Sequence, residues 1–235
     1  MLITAVITTH NRPQFVRRAI YSVLNQTYEP VRVIVVEDGT DSGIEGWLRD
    51  TNLLDRVRYE RHENNMGLAA ARNTGVRLAE GDFIAFLDDD DEWKPELLTT
   101  LVDVMTGTED QTAVAYCGVD VRDRVTGRTI STMYPRNRGS LKAAIMTVGA
   151  ATLPSSYLFR RSAIVIAGGF DETLPSSIDH DLWMSLAVNG YHAAAVDKAL
   201  VVSYSSTSDR MTTDMKNRPD GVRMYVDKWT PVYRE

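Results

Sequence analysis

The sequence predicts an α/β fold with a Rossmann-like, mostly parallel sheet flanked by helices, and a mixed sheet in the C-terminal half. Residues 31–36 and 83–87 are near-continuous apolar runs, which are typical of strands buried on both faces. Segments with helical periodicity lie between such runs, and this alternation indicates parallel pairing through right-handed crossovers. With 235 residues, 43% of them hydrophobic, the chain is long enough for one large domain or two fused halves.

The first 110 residues alternate strands and helices. Residues 2–8 form an apolar, β-rich run, and Asn11 is then expected to cap a helix that has Pro13 in its first turn. One apolar stripe marks this helix, with Arg17 and Arg18 facing away. The stripe consists of Val16, Ala19, Ile20, Val23 and Leu24. The other elements predicted here are strands at 31–36, 57–59 and 83–87, and helices at 44–48 and 68–79.

Beyond about residue 110 the pattern predicts antiparallel neighbours. A strand at 113–119 is followed by a hairpin over 121–130, with Thr126 and Gly127 at its turn. The remaining elements are a short helix at 141–146, a strand at 155–159, a helix at 160–166 and a helix that ends at Gly190. Asp179 lies at the N-terminus of this last helix, where its simplest role is that of a cap. The tail at 215–233 is expected to dock on the core or on a partner, which leaves a homodimer open.

Four aspartates and a glutamate, residues 88–92, directly follow the apolar strand at 83–87. Two carboxylates about 5 Å apart repel by roughly 3 kcal/mol at an effective dielectric constant near 20, so the run needs protons, basic partners or a metal ion. Carboxylate oxygens suit magnesium, manganese or calcium. A solvated acidic loop fits less well, because the run abuts a core strand and ends at Trp93 and Pro95.

Polar clusters follow three of the predicted strands, at residues 8–10, 37–38 and 88–91. Ligands of parallel α/β sheets bind beyond the carboxyl ends of the strands, so one crevice would collect all three clusters. Each residue also has an ordinary explanation. Asp38 could cap a turn, His10 could be a loop histidine, and Arg72 a solvated helix residue.

Composition excludes several classes of protein. A net charge of -6 argues against general nucleic-acid binding, although Arg160-Arg161 leaves room for a local anion site. The single cysteine, Cys117, is expected to be a buried small hydrophobe in a reducing compartment. No transmembrane segment is predicted, and the start at Met1 lacks the pattern of a signal peptide. We therefore expect a cytoplasmic protein, with peripheral attachment at the inner face of the membrane left open.

Seven separate segments carry a family resemblance. They are V-I-T-T-H-N-R-P at 6–13, S-V-L-N-Q-T-Y at 22–28, V-V-E-D-G at 35–39, N-M-G-L-A-A-A-R-N at 65–73, F-L-D-D-D-D-E-W at 86–93, G-G-F-D-E at 168–172 and D-H-D-L-W at 179–183. Together and in this order they resemble the inverting, nucleotide-sugar-dependent glycosyltransferases of family two, which have the GT-A fold. The resemblance implies one fused domain, with residues 1–110 binding the nucleotide sugar and residues 111–235 supplying the acceptor site and the catalytic base.

The resemblance also implies a role for each polar residue of the crevice. The implied donor-binding residues are Thr8 and His10 against the nucleotide, Asp38 on its base, Arg72 on the base or diphosphate, and Asp88 or Asp89 on the ribose. Asp90 would hold Mn²⁺ or Mg²⁺ in the family's D-x-D motif, and Asp179 would be the catalytic base. The implied donor is a nucleoside-diphosphate sugar, with a UDP-sugar favoured, and the implied acceptor is a saccharide, lipid-linked or other hydroxyl. This places the chain in the hexosyl- or N-acetylhexosaminyl-transferase class.

The sequence departs from the family pattern at two points. Ile178 precedes Asp179 where the family commonly has Glu, and no histidine follows His192 to serve as a late metal ligand. Residues 203–213 form the corresponding stretch, where Asp209 could substitute and a loop could close over the donor. Two alternatives stay open: a non-catalytic nucleotide-sugar-binding module and a sugar-phosphate nucleotidyltransferase. The latter would need a glycine-rich loop after the first strand, which this chain lacks.

Overall fold

The computed structural model describes residues 1–136, 138–143, 153–205 and 218–233. The strands are β1 (Ile3–Thr9), β2 (Val31–Glu37), β3 (Val57–Arg61), β4 (Phe83–Asp88), β5 (Glu92–Trp93), β6 (Thr112–Arg122), β7 (Thr129–Met133), β8 (Gly139–Ser140), β9 (Tyr157–Arg160) and β10 (His192–Tyr204). The helices are α1 (Pro13–Leu24), α2 (Ile44–Asp50), α3 (Leu68–Leu78), α4 (Leu97–Thr106), α5 (Arg161–Ile166), α6 (Ile178–Val188) and α7 (Arg218–Tyr233). None of the helices within these ranges is long and apolar enough to cross a bilayer.

The strands form one mixed sheet in the order β3-β2-β1-β4-β9-β6-β10-β5, with β7 paired to β6 and β8 to β10. The first four strands of the chain pair in parallel, as do β6 and β10. Strand β9 is antiparallel to both β4 and β6. Two reversals restore the original direction, so β6 and β10 point the same way as β1. The predicted parallel first half and mixed second half are confirmed.

Helices cover both faces of the sheet. Alternate residues of β1 face opposite sides, since Ile7 packs in one apolar cluster and Val6 in the other. Helices α1, α2 and α4 pack on the side of Ile7, and α3, α5 and α6 on the side of Val6. Trp183 of α6 is 1% exposed and meets Tyr116 and Tyr157 edge to face. The core therefore lies on both faces of the sheet, as expected for doubly covered strands.

Three local predictions need comment. Arg12, with φ of −130°, is the residue before α1, while Asn11 adopts a left-handed φ of 53°, so the prediction of Asn11 as the cap is wrong. Arg18 lies off the buried stripe of α1, as predicted, and its guanidinium contacts Glu92 at 2.8 Å. Cys117 is buried and unpaired, as predicted.

Two predicted segments fall partly outside the described residues. The helix predicted at 141–146 is described only over residues 141–143, which are helical. The loop predicted at 203–213, including Asp209, is described only as far as residue 205.

The contact between α3 and β1 predicts a specific packing defect. Gly75 lies against Val6 so closely that an added Cβ would stand 2.3 Å from Val6 Cγ1. We expect Gly75→Ala to destabilise the protein by about 1–3 kcal/mol, because overpacking forces the strand and helix apart. The matched control is Gly46→Ala in α2, where nothing lies within 4 Å of the added atom. This control is expected to be neutral or to stabilise by up to about 1 kcal/mol. Thermal or denaturant unfolding measures both, and equal changes in stability would contradict the close approach.

Candidate active site

Polar residues at the carboxyl ends of β1, β2 and β4 lie side by side. In the parallel register Thr9 stands beside Glu37, and Thr8 beside Asp88. Asp38 follows β2 directly, with its backbone amide donating to Thr9 O at 2.9 Å. The three polar clusters predicted to share a crevice therefore meet at the carboxyl ends of the parallel strands.

Arg72 joins the acidic run to the helix that carries Asp179. Its guanidinium donates to Asp179 Oδ1 at 2.6 Å and to Asp88 Oδ1 at 2.9 Å. The residue is 1% exposed, and its Cζ lies 5.3 Å from the ring centroid of Phe170. A solvated helix arginine is thus excluded. Asp88 and Asp179, which are 91 positions apart in the sequence, lie on the same cation.

The sharing of one guanidinium by two carboxylates sets the protonation of this cluster. Burial raises the pKa of Asp179 above its ordinary value. Arg72 opposes the shift without cancelling it, and the negative charge of Asp88 raises the pKa further. Burial disfavours charge on Arg72, yet Asp179 and Asp88 hold its pKa above the ordinary value. An aspartate with a raised pKa has a greater tendency to accept a proton, which suits a general base.

The rest of the acidic run is held by the last residue of β1, by the residue before α1 and by the segment before β9. Thr9 Oγ1 donates to Asp89 Oδ2 at 2.6 Å, and Arg12 Nε donates to the same oxygen at 3.1 Å. Arg12 Nη1 also lies 3.7 Å from Asp90 Oδ2. Ser155 Oγ donates to Asp91 Oδ2 at 2.7 Å.

Burial is the main cause that raises the pKa of Asp89 and of Asp91 to about 7 in each case. The neighbouring carboxylates of the run raise both values further, whereas Arg12 opposes the shift at Asp89. The run therefore carries more negative charge than its basic partners balance.

Asp38 organises the loop before α3. Its carboxylate accepts hydrogen bonds from the amides of Met66 at 2.8 Å and Gly67 at 2.7 Å, and it contacts His62 Nδ1 at 2.7 Å. His10 is exposed beside this loop, with Nε2 at 3.2 Å from Asn65 Nδ2. Asp38 thus holds the loop at Met66 and Gly67 instead of capping its own turn, and its contact with a nucleotide base stays a prediction.

Helix α6 is fixed from outside by the C-terminal helix α7. Trp229 Nε1 donates to Asp181 Oδ1 at 2.7 Å, and Lys228 Nζ lies 2.8 Å from the same oxygen. Lys228 also donates to Asp171 Oδ2 at 2.7 Å. Asp181 is 1% exposed and lies two residues after Asp179. The tail therefore docks on the core and holds the helix turn that presents Asp179.

Sequence reasoning missed several partners in this site. The residues are Arg12, Arg18, His62, Ser155 and Asp181. A weak signal existed for Arg12, because it closes the polar stretch after β1. Ser155 and His62 carried no local signal, since their roles depend on which strand ends meet in space.

The side chains of this site provide only some of the ligands that a hard divalent cation needs. The acidic run offers carboxylate oxygens and a surplus of negative charge, which favour Mg²⁺ or Mn²⁺. Among the described residues, however, no three Asp, Glu, His or Cys side chains converge into a ready metal cage. A metal at Asp90 would therefore need further ligands from its substrate or from water.

A family model described as Glycosyl transferase family 2 matches residues 4–165, which is more than half of the chain. The chain belongs to glycosyltransferase family 2. The matched range contains Arg72 and the whole acidic run, while Asp179 lies beyond it.

Curated relatives of this family 2 chain differ in length. The putative colanic acid biosynthesis glycosyl transferase WcaA of Escherichia coli K12 is 27% identical over 241 residues, which cover 97% of this chain and 82% of WcaA. An uncharacterized glycosyltransferase of Rickettsia felis is 26% identical over 191 residues, covering 79% of this chain and 31% of the relative. The chain spans between 27% and 31% of the length of the first Rickettsia relatives.

Solved structures confirm the predicted GT-A fold. S. aureus TarS 1-349 in complex with UDP-GlcNAc superposes with a TM-score of 0.75 at 19% identity, covering 97% of this chain and 66% of TarS 1-349. The mannosyltransferase PcManGT from Pyrobaculum calidifontis, in complex with GDP-Man and Mn²⁺, superposes with a TM-score of 0.68 at 16% identity, covering 99% of this chain and 64% of PcManGT.

The shared arginine predicts a stability defect. We expect Arg72→Ala to cost about 2–4 kcal/mol of unfolding free energy, because it leaves Asp88 and Asp179 facing each other without a cation. The control is Arg49→Ala, which removes an exposed pair with Glu45 at 3.0 Å. That change should cost no more than about 0.5 kcal/mol. Urea unfolding compares the two variants, and equal losses would contradict the bridging role.

Proposed function

We propose that the protein is a metal-dependent, inverting glycosyltransferase that moves one sugar from a nucleoside-diphosphate sugar to an acceptor hydroxyl. The observation that carries this proposal is the bridge from Asp88 through Arg72 to Asp179, with distances of 2.9 and 2.6 Å. This bridge puts a carboxylate suited to general-base work beside the acidic run that would face the diphosphate. Membership of glycosyltransferase family 2 supports the reaction class.

The donor would lie along residues 1–110. In this proposal Thr8 and His10 contact the nucleotide, Asp38 its base, and Asp88 or Asp89 its ribose. Arg72 is buried between two carboxylates, so its contact with the donor would be made from that fixed position. A UDP-sugar is favoured, in a hexosyl- or N-acetylhexosaminyl-transferase. TarS and PcManGT were solved with UDP-GlcNAc and GDP-Man respectively, which supports a nucleotide-sugar donor without choosing its base.

Asp90 is the residue proposed to hold Mn²⁺ or Mg²⁺, with the remaining ligands coming from the donor diphosphate and water. When bound, such an ion neutralises the charge that develops on the departing diphosphate. PcManGT was solved in complex with Mn²⁺, which supports a divalent metal in the proposed reaction.

Asp179 is the proposed general base, and residues 111–235 would provide the acceptor side. The acceptor oxygen forms its bond to the anomeric carbon as the bond from that carbon to the diphosphate oxygen breaks, which inverts the configuration. The acceptor proton passes to a carboxylate oxygen of Asp179, while the electron pair of the broken bond leaves with the diphosphate. The acceptor would be a saccharide, lipid-linked or other hydroxyl, and the buried lone Cys117 supports a reducing, cytoplasmic setting.

A non-catalytic nucleotide-sugar-binding module is the second candidate. It is favoured by Ile178, which is 4% exposed and buried in the core beside Asp179 where the family commonly has a glutamate. Metal-dependent hydrolysis of a nucleotide sugar separates the two candidates, because a module without transfer chemistry would leave the donor intact.

Two variants test the division of labour between metal and base. Asp179→Asn should bind UDP with Mn²⁺ as tightly as the wild type and lose sugar transfer or donor hydrolysis by at least about 100-fold, as expected for a lost general base. Asp90→Ala should instead lose the manganese-dependent part of nucleotide binding. Calorimetry with UDP and with GDP, each with and without Mn²⁺, measures both. Unchanged binding by the Asp90 variant would exclude it as the metal ligand.

The raised pKa of Asp179 predicts the acid side of the pH profile. A base works when deprotonated, and burial moves its pKa above the ordinary 3.8, so activity should fall with decreasing pH at values where a solvated aspartate would stay ionised. Measuring kcat/KM for donor hydrolysis or transfer from pH 8.5 downwards tests this. A flat profile extending down to the ordinary value would contradict a raised pKa of the catalytic base.

A further inference from the structure

Arg124, in the turn between β6 and β7, packs its guanidinium against two aromatic rings. Its Cζ lies 4.5 Å from the ring centroid of Phe15 in α1 and 5.7 Å from that of Tyr204 at the end of β10. Its Nε is buried without a hydrogen-bond partner. Across the residues that the structure describes, no carboxylate lies within ion-pair distance of Arg124.

Two other arginines share these rings, and both have carboxylate partners. Arg12 lies 6.0 Å from the Phe15 centroid and pairs with Asp89 at 2.5 Å. Arg18 lies 4.1 Å from the Tyr204 centroid and pairs with Glu92 at 2.8 Å. Arg124 therefore extends a row of guanidinium groups that begins at the acidic run.

The topology places these three arginines at the carboxyl ends of the parallel strands, where the proposed site lies. Strands β6 and β10 run parallel to β1 and β4, and Arg122 and Tyr204 are register partners at their carboxyl ends. Arg124 follows Arg122 by two residues. It thus lies at the same end of the strands as Thr9 and Asp88, and it shares the ring of Phe15 with Arg12.

We propose that Arg124 is a phosphate-binding residue, held for bidentate contact by stacking on Phe15 and Tyr204. A planar guanidinium fixed on an aromatic face keeps its outer N–H groups available to a phosphate oxygen pair. An unpaired, partly buried guanidinium gains more from an anion than a solvated one does, because part of its hydration is already lost. The phosphate belongs either to the donor diphosphate or to a phosphorylated acceptor, and that choice of source rests on the proposed function.

Calorimetry on the full chain with Mn²⁺ tests the proposal with three probes. The probes are inorganic pyrophosphate, UDP, and glycerol 3-phosphate added to UDP-saturated protein. Arg124→Met removes the charge and keeps an unbranched apolar side chain over the rings. Arg128→Met is the matched control, because it removes the same charge from an exposed residue of the same turn. Arg124→Lys retains charge without the planar fork, and thermal unfolding of each variant reports its folding.

The measured affinities show whether Arg124 binds the donor diphosphate, a phosphorylated acceptor or neither. A loss of about tenfold in pyrophosphate and UDP affinity for Arg124→Met, absent in Arg128→Met, assigns the residue to the donor diphosphate. A similar loss confined to glycerol 3-phosphate assigns it to the acceptor. Partial recovery in Arg124→Lys supports either assignment. Equal affinities in wild type and Arg124→Met, or equal losses in both methionine variants, overturn the proposal while leaving the proposed function intact. A wild type that binds pyrophosphate through Arg124 but does not bind UDP contradicts the proposed function alone.

Discussion

The sharing of one buried guanidinium by two carboxylates is the interaction on which this site depends. Arg72 comes from α3, Asp88 from β4 and Asp179 from α6, so one side chain ties three elements together. Burial and the neighbouring charge of Asp88 raise the pKa of Asp179, and Arg72 offsets only part of that shift, so Asp179 is receptive to a proton. The same contact serves stability and chemistry, because the pair that anchors α6 to the sheet also orients the carboxylate proposed to act on the acceptor.

The other carboxylates of the acidic run, at the carboxyl ends of the strands, also outnumber the cations that contact them. Burial and the neighbouring carboxylates raise the pKa of Asp89 and of Asp91 to about 7, so both take up protons more readily than a solvated aspartate does. Arg12, which precedes α1, offsets part of the charge, and a cation brought with the diphosphate would offset more. An unbalanced site of this kind favours a ligand that brings its own positive charge, which a metal–diphosphate complex provides.

Much of this could be predicted from the sequence, and the remainder depended on contacts between distant residues. Apolar runs such as 31–36 and 83–87 revealed the parallel strands, since burial on both faces leaves a continuous hydrophobic signature. The same periodicity could not reveal that β9 lies between β4 and β6, because pairing partners leave no local pattern. The family resemblance assigned Asp88, Arg72 and Asp179 to the site, whereas the bridge that Arg72 makes between the two carboxylates was not predicted, because it joins residues that are distant in the sequence. The cap of α1 was misassigned because Asn11 adopts a left-handed conformation that its residue type tolerates well.

The docking of α7 has a bearing on where this chain can be shortened. Asp181 is an internal anion whose charge is met by Lys228 and the indole of Trp229. A chain that stopped before α7 would leave the Asp181 carboxylate buried without these two partners. Asp181 lies about half a helical turn from Asp179, the proposed base, so the turn that positions Asp179 would lose its support. Helix α7 is therefore part of the structure that holds the proposed base in place, although it lies far in the sequence from the seven segments that carry the family resemblance.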